Sequence, residues 1–147
     1  MTDLYRPFLE ATRNVFRLML ELHDVSDFPA DSFACEEELD VSVGFIGDLK
    51  GEVVYRLPHH TSLGIVNIIS GMEFDSVDDF VTSAVSEIAN IISGNVLTML
   101  AGEDLNCDIL PPVIRSMNEN REYTFHSACC VTTSIGEVCL DIRLSQA

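Results

Sequence analysis

The sequence predicts an α+β fold, a mainly antiparallel sheet covered on one side by helices. Two patterns predict it: apolar residues repeat at helical spacing near the start and again after residue 76, and between and beyond these stretches the apolar period drops to two. Leu4, Phe8, Ala11, Val15, Leu18 and Leu22 lie four, three, four, three and four apart, one stripe along a helix of roughly residues 2–22. The acidic, turn-rich "SDFPADSFACEEELD" then reads as a connector within a domain, not as a linker between domains. Leu39, Val41, Val43 and Phe45 alternate with Asp40, Ser42 and Gly44, as in a strand with one buried face. A second strand, Glu52–Leu57, follows across the Gly47–Gly51 connection, so the two should form an antiparallel hairpin. Pro58 ends that strand, and Thr61–Ser70 reads as a short helix stopped by Gly71.

Ser76 or Asp75 is the expected N-cap of a long helix running to about Leu100, closed by Gly102, with Asp78 and Asp79 in its first turn. "LNCDIL", "EYTFHSACCVTT" and "GEVCLDIRL" read as three strands, the last two joined by a tight Ser134–Gly136 turn. "KGEVVYRL" and "IGEVCLDIRL" both place Gly-Glu-Val at a strand entrance, and a helix precedes each, compatible with two α-then-β halves.

The 147 residues, 47% of them apolar, suit one domain spanning 1–147, with about two-thirds of the unfolded surface buried. No apolar run reaches the roughly 18 residues of a membrane span, and charges interrupt the N-terminus where a signal peptide would lie. A cytoplasmic protein with no membrane partner is expected. Five cysteines, Cys35, Cys107, Cys129, Cys130 and Cys139, are odd in number and lack C-x-x-C spacing, which fits reduced core thiols. Cys129 and Cys130 should face opposite sides of their strand, and neither the adjacent His59 and His60 nor His126 completes a metal site or catalytic motif. The net charge of −16 repels phosphate backbones, so nucleic acid is not an expected partner.

The long helix carries the candidate site. At about 100° per residue Ser83, Glu87, Asn90 and Gly94 fall within a band of roughly 60°, opposite a face made by Ala84, Val85, Ile88, Ile91, Ile92, Val96 and Met99. Ser83, Ser86, Ala89, Ser93 and Gly94 are expected to flank Glu87 and Asn90 with nothing bulky. A merely solvated face would use Lys, Arg and Glu; Ser and Gly cost helix propensity and suit a docking surface, with Ser83, Ser86 and Gly94 as its contacts. Asn95, inside the apolar face, should be structural.

The spacing Ser83-x-x-x-Glu87-x-x-Asn90, followed by Gly94-Asn95, resembles the signature of the CheC/CheX phosphatases of bacterial chemotaxis. "RPFLEATRNVF", "GDLKGEVVYRL", "NIISGM" and "GEVCLDIRL" look like the single-motif CheX branch, so the resemblance spans essentially the whole chain. It implies a phosphatase acting on the phosphoaspartate of a phosphorylated CheY-type receiver domain, and a homodimer that pairs its sheets. In such a reaction Asn90 would orient the attacking water and Glu87 would pair with the receiver's lysine. Mg²⁺ would arrive with the receiver, this chain binding no cofactor and no metal. The first helix offers Glu10 and Arg13 in place of a second Glu/Asn pair, with Asn14 one position on, so one site per chain is expected. The alternative is a non-catalytic adaptor that holds a signalling or flagellar-switch partner through the same helix.

Overall fold

The computed structural model describes residues 4–28, 33, 37–114 and 125–146. Its order is α1 (Tyr5–Leu20), β1 (Ser26–Phe28), β2 (Glu38–Gly47), β3 (Leu49–Pro58), α2 (His59–Ser70), α3 (Asp79–Ala101), β4 (Cys107–Ile109), β5 (Val113–Ile114), β6 (Phe125–Thr133) and β7 (Gly136–Gln146). The strands form one antiparallel sheet in the order β1-β6-β7-β3-β2-β4, with β5 also on β2. Part of the connector, Cys35 included, and the first residues of "EYTFHSACCVTT" lie outside the described residues.

Phe8, Ala11 and Val15 of α1 enter the core as expected, whereas Leu18 is 75% exposed. A four-three repeat drifts by about 20° per heptad against a straight helix, so its later members rotate off the buried face; Phe16 and Leu20 replace Leu18. Glu21, in the left-handed region at φ 55°, ends α1. The β2–β3 hairpin and the β6–β7 hairpin meet along β3 and β7, which pair from Leu49 opposite Gln146 to Arg56 opposite Cys139.

The connectivity gives the two-halves expectation a structural form. Each half runs helix, short strand, hairpin, and each short strand crosses to the other half's hairpin: β1 pairs with β6, and β4 with β2. The echoed glycines also have equivalent roles at φ 149° for Gly51 and 137° for Gly136. A side chain on Gly51 would collide with the Arg143 carbonyl oxygen, and one on Gly136 with the Thr61 hydroxyl.

Core-facing residues of the sheet, Val41, Val43, Val53, Tyr55, Leu140 and Ile142 among them, meet the three helices in one apolar cluster. The other face departs from the expected solvated side: Ser42, Glu52, Cys130, Cys139, Asp141 and Arg143 on it are buried. The Arg56 guanidinium lies 5.1 Å over the Phe33 ring, and Leu110 packs on Gly44, where an added side chain would press against it. Part of this polar burial is compensated by partners: Ser42 donates to Glu52 at 2.9 Å, and Arg56 holds Glu38 through two nitrogens at 2.8 and 2.9 Å.

Candidate functional site

α3 is positioned from both ends. Asp78, not Ser76 or Asp75, is its N-cap and accepts from the Val81 amide at 3.0 Å; Asp79 then opens the helix, where the dipole favours a carboxylate. The expected cap was early because three acidic or hydroxyl residues compete and only contact with the following turn selects among them. Gly102 ends the helix with right-handed dihedrals, φ −65° and ψ −16°. Among the described residues, α3 is long and apolar enough by composition to cross a membrane. Its apolar residues are instead core: Val85, Ile88, Ile92, Val96 and Leu100 are buried in the cluster shared with the sheet.

The outward band carries the expected pair. Glu87 is exposed and Asn90 half-buried, and among the described residues neither side chain is tied up by a hydrogen bond or ion pair of this chain. Ser83 is exposed, Ser86 and Gly94 are half-buried, and a methyl added at Gly94 would meet nothing within 4 Å. A carboxylate and a carboxamide thus stand about one helical turn apart beside open space.

Two expected flanking residues belong elsewhere. Ala89 is 2% exposed and Ser93 is fully buried. By helical geometry Ala89 lies about 160° and Ser93 about 120° round the helix from Glu87, so nearness in sequence did not mean nearness on the surface. Ser93 shares a 2.8 Å hydrogen bond with the Tyr55 hydroxyl, a polar pin between α3 and β3. Asn95 donates to the Ile91 carbonyl at 3.1 Å, the structural role expected of it.

Phe80 was not singled out from sequence. It sits one turn before Ser83 on the same side of α3, 56% exposed, with its ring stacked on Phe74 at 5.2 Å. The signal was available in the i, i+3, i+7 spacing of Phe80, Ser83 and Glu87, but apolar residues on a helix are ordinarily assigned to the core.

On α1 the corresponding polar residues are engaged. Arg13 approaches Glu10 at 3.8 Å and Asp27 at 3.3 Å, and Asn14 accepts from Arg17 at 3.3 Å. Glu10 and Asn14 line an open groove of about 620 Å³ with Arg6, Met99 and Glu103. Three of the four histidines face carboxylates: His60 lies 3.2 Å from Glu137, His59 3.6 Å from Glu37 and His126 3.0 Å from Asp141. Among the described residues no three His, Cys, Asp or Glu side chains converge as a metal site.

The family model described as "Chemotaxis phosphatase CheX" matches residues 40–134, which contain all of α3. The chain belongs to the CheX chemotaxis phosphatase family. A curated relative, the CheY-P phosphatase CheX of Thermotoga maritima, is 27% identical over 105 residues, covering 70% of this chain and 68% of that protein. Among solved structures, the chemotaxis protein CheX from Vibrio vulnificus matches with a TM-score of 0.85 at 19% identity, over 98% of this chain and 97% of that one. A chain of the CheX–CheY–BeF3–Mg²⁺ complex from Borrelia burgdorferi matches with a TM-score of 0.75 at 24% identity, over 99% and 100%. These two show that the chain also carries the fold of those CheX proteins over nearly its whole length.

Proposed function

We propose that this chain is a phosphatase that accelerates loss of phosphate from a phosphorylated CheY-type response regulator, with Glu87 and Asn90 of α3 as its reacting pair. The observation that carries this reading is the presence of both groups, unengaged and side by side, on the outward band of the helix inside the family-matched region. Membership of the family and the activity in the Thermotoga relative's name support the same reaction.

Phosphoryl transfer to water asks the protein mainly to position a nucleophile and stabilise charge. The Asn90 carboxamide accepts from the attacking water through its oxygen while its nitrogen donates elsewhere, so the water is aimed without being deprotonated. Glu87 pairs with the lysine beside the receiver's phosphoryl group and holds the two proteins in register. Ser83, Ser86 and Gly94 let the receiver approach the helix, and Phe80 offers it apolar area at the near end of the stripe. The Borrelia complex contains CheY, BeF3 and Mg²⁺ together with CheX. By that precedent Mg²⁺ comes with the receiver, and this chain supplies no cofactor.

In this reading the chain acts as a single domain in the cytoplasm with one site, since the polar groups of α1 are occupied by Arg13 and Arg17. It works as a homodimer joined at sheet edges; exposed Ile46, Val113 and Ile114, near the β4 and β5 side of the sheet, supply apolar area for such a contact.

The test mixes the purified protein with a chemically phosphorylated CheY-type receiver and Mg²⁺ and follows phosphate release. Faster release, by a factor on the order of a hundred, is the expected result. Tight binding with unchanged release would replace the phosphatase by an adaptor.

A further inference from the structure

The sheet face turned away from the helices holds two thiols in direct register. Cys130 on β6 and Cys139 on β7 are paired residues of the antiparallel ladder, and the row continues from Cys139 to Arg56 and on to Asp40. Paired Cα atoms in such a ladder lie about 4.5 or 5.5 Å apart, inside the roughly 4.4–6.8 Å that a disulfide spans. Both thiols are free, and a hydrogen bond links their side chains. That bond, aided by the Arg56 guanidinium, lowers the Cys130 thiol below its ordinary value, while the same bond and burial raise Cys139. Cys129, the chain neighbour of Cys130, points the other way into the apolar core and cannot join the pair.

We propose that Cys130 and Cys139 are a redox-active dithiol, which a small-molecule disulfide of the glutathione type oxidises to an intrachain disulfide. Cys130, as thiolate, attacks one sulfur of the oxidant, forming a mixed disulfide and expelling one thiolate. Cys139 then loses its proton and attacks the Cys130 sulfur, forming the intrachain bond and expelling the second thiolate. Two protein thiols are oxidised, the small disulfide is reduced to two thiols, and the released thiolates take up the two protons. Both cysteines are buried, so the oxidant enters by local opening at the outer edge of β6, which among the described residues pairs there with the three-residue β1, Phe28 opposite Cys130.

The test incubates the whole protein with oxidised glutathione, with and without dilute urea, then alkylates free thiols and maps linked peptides by mass spectrometry. The expected product has lost two of its five thiols, links Cys130 to Cys139, and reverts with dithiothreitol. Urea should speed its formation. Cys129→Ser should keep the link, and Cys139→Ser should stop at a glutathione adduct on Cys130. Retention of all five thiols even in dilute urea, a stable glutathione adduct on the wild-type chain, or a link through Cys107 or Cys129 would each overturn the proposal, whether or not either serine variant folds.

Discussion

In the proposed reaction Asn90 can serve a water only while its carboxamide is free of the protein, and among the described residues no side-chain bond ties it down. Asn90→Ala should therefore lower the maximal rate of receiver dephosphorylation by about a hundredfold, equivalent to about 2.7 kcal/mol, while receiver affinity stays within about twofold. Glu87→Ala should weaken both, because it would remove the ion pair proposed to align the partners. Stopped-flow phosphate release and direct binding separate the two effects; an Asn90→Ala protein with full activity would exclude the assigned role. The pair was legible in the sequence because helical spacing is local geometry and needs no knowledge of the rest of the chain. The buried positions of Ala89 and Ser93 were legible in the same way, but adjacency to Glu87 in the chain was mistaken for adjacency on the surface.

At the scale of the element, α3 trades propensity for access. Gly94 costs the helix about 1 kcal/mol relative to alanine, and a methyl there would meet nothing within 4 Å. Gly94→Ala should raise the melting temperature and lower kcat/KM for the phosphorylated receiver. Thermal melts and kinetics moving in opposite directions would distinguish a docking stripe from an idle surface, on which the substitution changes stability alone. Ser93→Ala acts from inside: it leaves the Tyr55 hydroxyl buried without its 2.8 Å partner and should cost about 1–3 kcal/mol in urea unfolding. The existence of α3 and its faces was clear from its period, yet its first residue was not. Asp75, Ser76 and Asp78 are all competent caps, and only the 3.0 Å bond from Val81 shows which is used.

Across the whole molecule, the far side of the sheet couples stability to pH. Burial, followed by the neighbouring Glu38 carboxyl, pushes Asp40 from 3.8 up to about 7. The folded chain thus keeps a proton that the unfolded chain has released, so this contribution to stability is full below about pH 4 and is lost as pH rises through about 7. Glu38, held low chiefly by its hydrogen bonds from Arg56, has the opposite sign: its contribution is present above the ordinary 4.5 and is lost in acid. Urea midpoints should therefore fall between about pH 5 and 7, and Asp40→Asn should flatten that decline. An unchanged slope in the variant would assign the decline to other groups.

The order of helices and strands, the two hairpins and the Glu87–Asn90 stripe follow from apolar period, turn residues and helical spacing, all of which act over a few neighbouring residues. The short strands β1 and β5 left no comparable trace: each is two or three residues long and exists only because β6 or β2 offers an open edge. The crossing of β1 and β4 between halves, the burial of Ser42, Glu52 and Arg143, and the meeting of Cys130 with Cys139 were likewise decided by tertiary structure. Strand order and register join residues far apart in the chain, and the free energy that selects them comes from packing between whole layers, which no short window of sequence contains.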